Sequence, residues 1–549
     1  MAVLAKWKIS KREPTAESRL IQELQIPEVL AKILVGRGYN TPDAASALLY
    51  PQSYYHPTLI PGLVEAAKLT IQVINNRQRI LLAGDYDADG ICGVAILSHL
   101  ISSLGVPVSH YIPKRDEGYG FNPAAVDMAL QHKAGLIITV DVGISDPETC
   151  EYARSLGIPV IITDHHEPQG FIPPAEVVVD LKADQGAYPF RELCGAGIAF
   201  KLAQLIASEL GLTALPKPCL GLVAIATIAD VVPLIDENRI LVKAGLQRLN
   251  ENRPTWISTL LKPGTPIVSQ VVGYQIAPVI NAAGRMGDPN LALEMLLAHD
   301  SDPDAENKAL ELKELNELRK KLVAEIEAQC SLQVEESEAA GDNVIVIQGD
   351  FDAGLVGIIA NKIAERLQRP TLVIGENGHG SGRGPDGSNI LAIVENVQEF
   401  MSDYGGHKQA CGFTVSGDVN DLRQKINQCT LPGVEPVGVP IDLVLTSHQI
   451  TKELVDAIQL LEPFGCGNPA VVVLIKDLHL NGAKLMGSNK EHFKLSLGTL
   501  NIVGFHKAPL LKLAEGPIEC AVTVNHDDYW GPPHVSAIIQ DYDLNASLA

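Results

Sequence analysis

The chain has 549 residues, 46% of them hydrophobic and only 5% aromatic, and carries a formal net charge of −22. At roughly 100–200 residues per domain it predicts about three or four aliphatic-cored domains, and its acidity argues against nucleic-acid binding through overall charge, while leaving room for a local basic groove or for carboxylates that hold cations. The nine cysteines form no C-x-x-C pair, which excludes an obvious disulfide frame or zinc ribbon.

In chain order, residues 1–60 read as a small helical lead-in ending in PQSYYHPTLIPG. A regular alternation follows over 61–300. The runs RILLA (79–83), PVSHYI (107–112), LIITV (136–140), IPVIIT (158–163) and EVVVD (176–180) are short, apolar and β-branched, and helix-compatible stretches separate them. That pattern predicts an α/β domain with a parallel sheet covered on both faces. Residues 302–329 predict a long amphipathic helix: Ser301, Asp302 and Pro303 mark its start, and Leu315, Leu318, Leu322 and Ile326 recur at steps of three and four. With the connecting helix taken as 301–333, the stretch VEESEAAGD (334–342) reads as an acidic linker into a second, smaller α/β unit at 334–435. From 436 to 549 short strands and turns predict a small β-barrel. The N-terminal MAVLAKWKISKREP lacks a signal-like core, and no apolar run reaches the ~18–20 residues that span a bilayer, so the expectation is a cytoplasmic protein without a membrane partner.

The chemistry concentrates at strand ends. Asp85, Asp87 and Asp89 alternate in GDYDADG (84–90), just after the first run. Asp141 follows LIITV, and Asp164, His165 and His166 directly follow IPVIIT. In open α/β sheets ligands bind at the carboxyl edge of the strands, so these side chains are expected to converge, with Asp230 at the end of LVAIATIAD aimed at the same place. Carboxylates with one or two imidazoles and no thiolate suit Mn²⁺ or Mg²⁺. Several carboxylates around one point suit a pair of ions of the kind that cleaves phosphoesters. D-x-D-x-D-G also begins a calcium EF-hand, but that loop needs Glu at its twelfth position, and here it is Ile96. A solvated turn whose aspartates cap the next helix is the remaining alternative.

The ordered set GDYDADG, TVDVGIS (139–145), TDHH (163–166) and ADVVPL (229–234) resembles the DHH phosphoesterases. RDEGYGFN (115–122), CGAGIAFKL (194–202), INAAGRMGD (280–288), GLVGIIANKIAERLQRP (354–370), YGGHKQACGF (404–413), LEPFGCGNP (461–469) and an approximate tail pattern NHDDYWG…QD narrow the resemblance to the single-strand-specific exonuclease branch. The resemblance implies a DHH domain, a connecting helix, a DHH-associated domain and an OB-like barrel. It implies an exodeoxyribonuclease of the two-metal type, acting 5′ to 3′ on single-stranded DNA in recombination and repair, with a single-strand-binding protein as a partner; a monomer is expected. It implies Asp87, Asp89, Asp141, His165 and Asp230 as metal ligands, and Asp85 and His166 beside them, orienting water or a ligand or completing a second metal site. Substrate contacts fall on Arg115, Asn281 and Arg285, on Arg383 in a glycine-rich loop GHGSGRG (378–384), and on His407 in GGHKQACG (405–412). Asn281 and Arg285 read equally well as a helix cap and a surface cation. Two other classes compete: a DHH phosphoesterase for short oligonucleotides or cyclic dinucleotides, and a weakened nuclease that mainly binds single strands.

The chain departs from that pattern at Ala83, where His is frequent; at Val279, where Arg is common; at Phe351 and Asp352, which replace Trp and His; and at Gly384, where Ser is favoured. An acid at 352 repels a phosphate unless it has a partner. A basic groove around Arg285, Lys362, Arg366, Arg383 and His407 would be needed to steer an anionic strand.

Overall fold

The structure, a computed structural model, describes residues 7–544 apart from 53, 119, 185, 300–301, 386, 430–437, 515 and 528–533. Ser301 at the long-helix start, Tyr119 of RDEGYGFN, the expected joint at 435/436 and residues 528–531 of the tail pattern therefore lie outside the described residues.

A short strand β1 (Trp7–Ile9) and helices α1 (Pro14–Leu24), α2 (Glu28–Gly36) and α3 (Pro42–Leu49) lead in. After α4 (Leu63–Asn75) come β2 (Arg79–Gly84), α5 (Ala88–Ser103), β3 (Val108–Tyr111), α6 (Pro123–Gln131), β4 (Ala134–Val140), α7 (Pro147–Ser155), β5 (Val160–Asp164) and β6 (Val177–Asp180). The five strands are all parallel, in the order β3-β2-β4-β5-β6. Both faces are buried. Ile80, Leu82, Leu136, Ile138 and Ile161 pack with α4, α5 and α8 (Gly195–Glu209); Leu81, Ala83, Ile137 and Ile162 pack with α6 and α7. Strands buried on two faces read as continuous apolar runs, and that is the pattern seen in the sequence. Because β2 is flanked by β3 and β4, the winding reverses beside it, and the crevice between the ends of β2 and β4 is the topological switch point.

Helices α9 (Cys219–Ala229), α10 (Asp236–Glu251), α11 (Thr255–Leu260), α12 (Ser269–Val271), α13 (Ala277–Met286) and α14 (Asn290–Leu297) complete this domain, with a π-helical turn Val272–Ile276 running into α13. The connecting helix α15 spans Pro303–Ala340. The expected acidic linker at 334–342 is thus corrected: most of it is the helix's last turns. Val334 and Ser337 are buried, Glu and Ala propagate a helix well, and the left-handed Gly341 (φ 75°) supplies the stop.

The second unit contains β7 (Ile345–Gln348), α16 (Ala353–Leu367), β8 (Thr371–Ile374), β9 (His379–Arg383), α17 (Ile390–Glu395), β10 (Met401–Gly406), β11 (Ala410–Val415) and α18 (Val419–Gln428). Its sheet order is β10-β11-β9-β8-β7. GHGSGRG is therefore not a phosphate-cradling loop. It forms β9, hydrogen-bonded to β8 and β11 on its two sides, so its backbone groups serve the ladder. A Cβ at Gly380 would come within 2.3 Å of the Phe413 ring, which explains the glycine without a ligand.

The C-terminal unit holds β12 (Val439–Ile441), β13 (Leu443–Leu445), α19 (Lys452–Gln459), β14 (Val472–Leu478), β15 (Lys484–Met486), β16 (His492–Leu497), β17 (Leu500–Gly504), α20 (Leu510–Leu513), β18 (Ile518–His526) and β19 (Val535–Asp543). Seven strands form one mixed sheet, ordered β13-β14-β18-β19-β17-β16-β15. The lead-in packs onto it. β1 pairs in parallel with β12, Leu20, Leu30 and Leu34 share a core with Val473, Phe493 and Ile502, and Arg37 holds both oxygens of Asp442 at 2.7 and 2.9 Å. The LEPFGCGNP stretch joins this unit to the first domain. The buried Arg239 guanidinium of α10 donates to the carbonyls of Leu461 (2.8 Å), Glu462 (2.7 Å) and Pro463 (3.2 Å), and Leu234 N donates to Cys466 O (2.7 Å). Among the described residues no helix is long and apolar enough to cross a membrane.

Candidate metal centre

Four segments bring seven side chains to the switch point. Asp85 leaves β2 into a buried turn, where its Oδ1 accepts from Tyr86 N at 2.7 Å. Asp87 is the N-cap of α5 and accepts from the amides of Asp89 (2.8 Å) and Gly90 (3.2 Å). Asp89, fully buried, accepts from Gly195 N (2.6 Å) and Ala196 N (2.9 Å), so it rests on the positive end of α8. Asp141 follows β4 in a left-handed conformation (φ 65°), which Asp tolerates better than most residues. Gly195 is required there, since a Cβ would sit 2.5 Å from the Asp141 Cβ. Asp230 C-caps α9.

His165 is the hub. Its Nε2 lies 3.1 Å from Asp141 Oδ1, 3.7 Å from Asp230 Oδ2 and 3.9 Å from Asp89 Oδ2. His166 Nδ1 is 2.8 Å from Asp164 Oδ1, which also accepts from the backbone amides of His165 and His166; Asp164 Oδ2 accepts from Ile144 N at 3.0 Å. Asp164, which has no role of its own in the sequence motif, is the buried anchor that sets both histidines.

Burial pushes the Asp85, Asp141 and Asp230 carboxyls well above the usual range, and the neighbouring aspartates push them further. Burial also raises Asp89, against the pull of His165. His165 is driven down to about 4 by burial, so its ring is neutral and able to ligate at ordinary pH. For His166 burial acts downward, but the Asp164 hydrogen bond and charge prevail and raise it to about 9.

These residues fit divalent cations. Asp141 Oδ1, His165 Nε2 and Asp230 Oδ2 are buried and have no hydrogen-bond partner; the close His165–Asp141 approach lacks hydrogen-bond geometry. Orphaned buried polar atoms are expensive unless an ion completes them. Two disjoint triads, Asp89/His165/Asp230 and Asp85/Asp87/Asp141, each have ligand atoms within 4.8 Å of one another. The 3.1 Å approach of Asp141 to His165 joins them, an arrangement suited to two ions with hard oxygen and imidazole donors.

The expected substrate residues divide into two groups. Asn281 Oδ1 accepts from Ala88 N at 2.7 Å, so it caps α5 between Asp87 and Asp89 and braces the cluster. Arg115 stacks over Tyr86, 4.4 Å from the ring centroid, and its Nε donates to Gly284 O at 3.0 Å. Arg285 is half-buried and donates to Gly354 O at 3.2 Å, at the seam between α13 and α16. Burial, then the charges of Arg115 and Arg319, lower its guanidinium to about 10. Arg319 of α15, whose Nε is buried without a partner, joins this basic set, which sequence reading missed; nothing in LNELRKKL distinguishes it from a solvated charge. Arg383 and His407 lie on the second sheet instead. Arg383 bonds Ser381 Oγ (2.7 Å) and Gly382 O (2.8 Å), and His407 is exposed in the β10–β11 turn. Lys362 is tied to Glu327 at 2.6 Å, so it adds little free positive field to the groove.

Three family models match: "DHH family, N-terminal domain" over 79–227, "DHHA1 domain" over 341–430 and "RecJ OB domain" over 441–541. The chain is 35% identical over 531 residues to the RecJ of Bacillus subtilis strain 168, covering 93% of this chain and 67% of that protein. The chain belongs to the RecJ family. It is 32% identical to the Thermus thermophilus RecJ over 569 residues, covering 98% of this chain and 78% of the relative. The fold matches the solved structure of T. thermophilus RecJ in complex with Mn²⁺ with a TM-score of 0.83 at 27% identity, covering 99% and 80% of the two chains. The Mg²⁺ complex of that RecJ gives 0.77 at 26% identity, covering 98% and 78%. The expected architecture of parallel-sheet domain, long helix, smaller α/β unit and C-terminal OB domain is the RecJ one.

Proposed function

We propose that this RecJ-family chain is a divalent-metal-dependent exodeoxyribonuclease that hydrolyses phosphodiester bonds of single-stranded DNA from the 5′ end, in recombination and repair. The observation that carries it is the set of orphaned ligand atoms of Asp141, His165 and Asp230 at the switch point. The B. subtilis and T. thermophilus relatives are both named single-stranded-DNA-specific exonucleases, and this chain matches the DHH, DHHA1 and RecJ OB family models.

Asp89, His165 and Asp230 would hold one Mn²⁺ or Mg²⁺, and Asp85, Asp87 and Asp141 the second. The bound pair supplies charge neutralisation of the phosphate and an activated water. The protein's own groups do the rest. Asp164 fixes His166 as a cationic donor facing the cluster. Arg115, Arg285 and Arg319 offer guanidinium forks to backbone phosphates in the groove between the first domain and α16. Beside the cluster a cavity of about 860 Å³ runs from Asn281 past the exposed Val231 and Tyr274 to the β18–β19 face, where His526 and Gln540 line it. Tyr274, 77% exposed on its π-helical turn, is placed to stack a base. Domain limits of 61–300 and 436–549, with the second unit beginning only after α15 ends at Gly341 and with Arg383 and His407 as outlying strand contacts, complete the reading, together with a single-strand-binding protein as partner, a monomeric state and a cytoplasmic location.

The test is cleavage of 5′-labelled and 3′-labelled single strands, a dinucleotide and a duplex, with Mn²⁺ and with Mg²⁺. Stepwise shortening from the 5′ end of single strands is expected, and Asp230→Asn should abolish it while keeping the fold; Asp87→Ala is a less clean control because Asp87 also caps α5. No cleavage with either metal overturns the reading. Cleavage of the dinucleotide alone transfers it to the oligonucleotide phosphoesterases.

A further inference from the structure

A second cavity, of about 370 Å³, opens on the first domain away from the cluster, at the opposite ends of the helices that carry the ligands. His99 lies on α5 ten residues beyond Asp89, about 15 Å along the helix. Gly221, Leu222 and Ile225 line it from the first half of α9, whose last turn presents Asp230. The apolar wall includes the buried Trp256 with Leu249 and Leu296. The polar lining holds two cations in a strongly acidic protein, exposed Lys217 and half-buried Arg248, beside Asn252 and the histidines at 99 and 299. Among the described residues no Asp or Glu lines the cavity, and neither Lys217 nor Arg248 pairs with a carboxylate. His99 Nε2 donates to Leu296 O at 3.0 Å, which ties the middle of α5 to α14 and fixes this wall.

A concave site of this size with an aromatic, apolar wall and unpaired cations fits a ligand with a planar ring and a phosphate. We propose that the cavity binds a nucleoside monophosphate, its base against the Trp256 wall and its phosphate between Lys217 and Arg248. A ligand there braces α5 and α9 against each other, the two helices whose other ends hold Asp89 and Asp230. The site is separate from the strand groove, and its occupancy does not depend on nuclease activity.

Full-length protein in chelator is titrated with dAMP, deoxyadenosine and inorganic phosphate, read by calorimetry and by amide exchange of residues 217–225 and 248–256. Binding of dAMP with slowed exchange in both segments is expected, with deoxyadenosine and phosphate each at least tenfold weaker. Lys217→Glu/Arg248→Glu should weaken dAMP binding at least tenfold, whereas Arg383→Ala, on the second unit's sheet, should not. Lys217 is exposed and Arg248 half-buried, and unchanged exchange of the β2–β4 segments shows that the double variant folds. The proposal is overturned if dAMP does not bind, if it binds the double variant as well as the wild type, if protection appears only around Arg383, or if phosphate alone binds as tightly as dAMP.

Discussion

Replacing Asp141 by Asn separates the electrostatic cost of the centre from its function, because the two effects have opposite signs. The substitution keeps the shape, and Asn is as tolerant as Asp of the left-handed backbone at 141. What it removes is one carboxylate whose ligand atom lies within 4.8 Å of those of Asp85 and Asp87. Two unit charges at that separation repel by about 3.5 kcal/mol at an effective dielectric near 20. Protonation relieves part of this in the metal-free protein, since burial and repulsion already hold Asp141 well above the usual carboxylate range, so a gain of about 1–3 kcal/mol is expected in chelator. Amide exchange of residues 79–95 and 134–145 is the assay, and at 1.4 kcal/mol it slows about tenfold. Saturating Mn²⁺ reverses the order: the wild type gains about 2.7 kcal/mol at a hundredfold excess over its dissociation constant, while the variant gains much less. Its nuclease rate falls about a thousandfold, equivalent to about 4 kcal/mol of transition-state stabilisation. A variant less protected than wild type in chelator, or one that gains equally from Mn²⁺, would refute the assignment of Asp141 as a ligand.

Three other outcomes are expected. Because Asp85, Asp141 and Asp230 are raised well above the usual range without metal, ion binding should expel protons and strengthen as pH rises from 6 to 8; calorimetry in buffers of different ionisation enthalpy would show it, and a buffer-independent heat would count against it. Gly195→Ala places a Cβ 2.5 Å from the Asp141 Cβ, so metal affinity and nuclease rate should drop together, with a loss of about 1–3 kcal/mol in stability from overpacking; unchanged metal affinity would count against the placement of Asp141. Lys201→Met should destabilise the first domain by about 3–5 kcal/mol in denaturant titrations, because Lys201 and Glu237 are both fully buried with Nζ 2.5 Å from Oε1; the Lys201→Met/Glu237→Leu pair should recover part of that loss.

Much of this molecule was readable where one residue type has one physical use. Continuous β-branched runs could only be strands buried on two faces, and acids at the ends of three of them had to meet if the strands were neighbours. The order β3-β2-β4-β5-β6 that makes them neighbours is a long-range fact that no local pattern carries. The same limit hid Arg319, which is one charge among many on α15 until the fold turns it under α13, and the lead-in, whose apolar helices complete a core some 450 residues away in sequence. GHGSGRG misled because glycine serves both a phosphate loop and a strand crossed by an aromatic ring; only Phe413 over Gly380 decides between them.

The departures at 352 and 384 have local explanations once neighbours are known. Asp352 does not stand as a bare anion facing a phosphate. It N-caps α16, its Oδ1 accepting from Gly354 N at 2.6 Å, and its charge sits on the positive end of that helix. Gly384 lies against Ser388, whose Oγ would be 1.9 Å from any Cβ added there, so a hydroxyl-bearing residue at 388 occupies the space beside the glycine. Val279 is buried in the core of the first domain, and the cations of the groove come instead from Arg115, Arg285 and Arg319. The changes at 279, 352 and 384 therefore fall on caps and packing around a centre that keeps every residue proposed as a ligand, and on the proposed reading they are expected to alter how tightly a strand is held before they alter how it is cut.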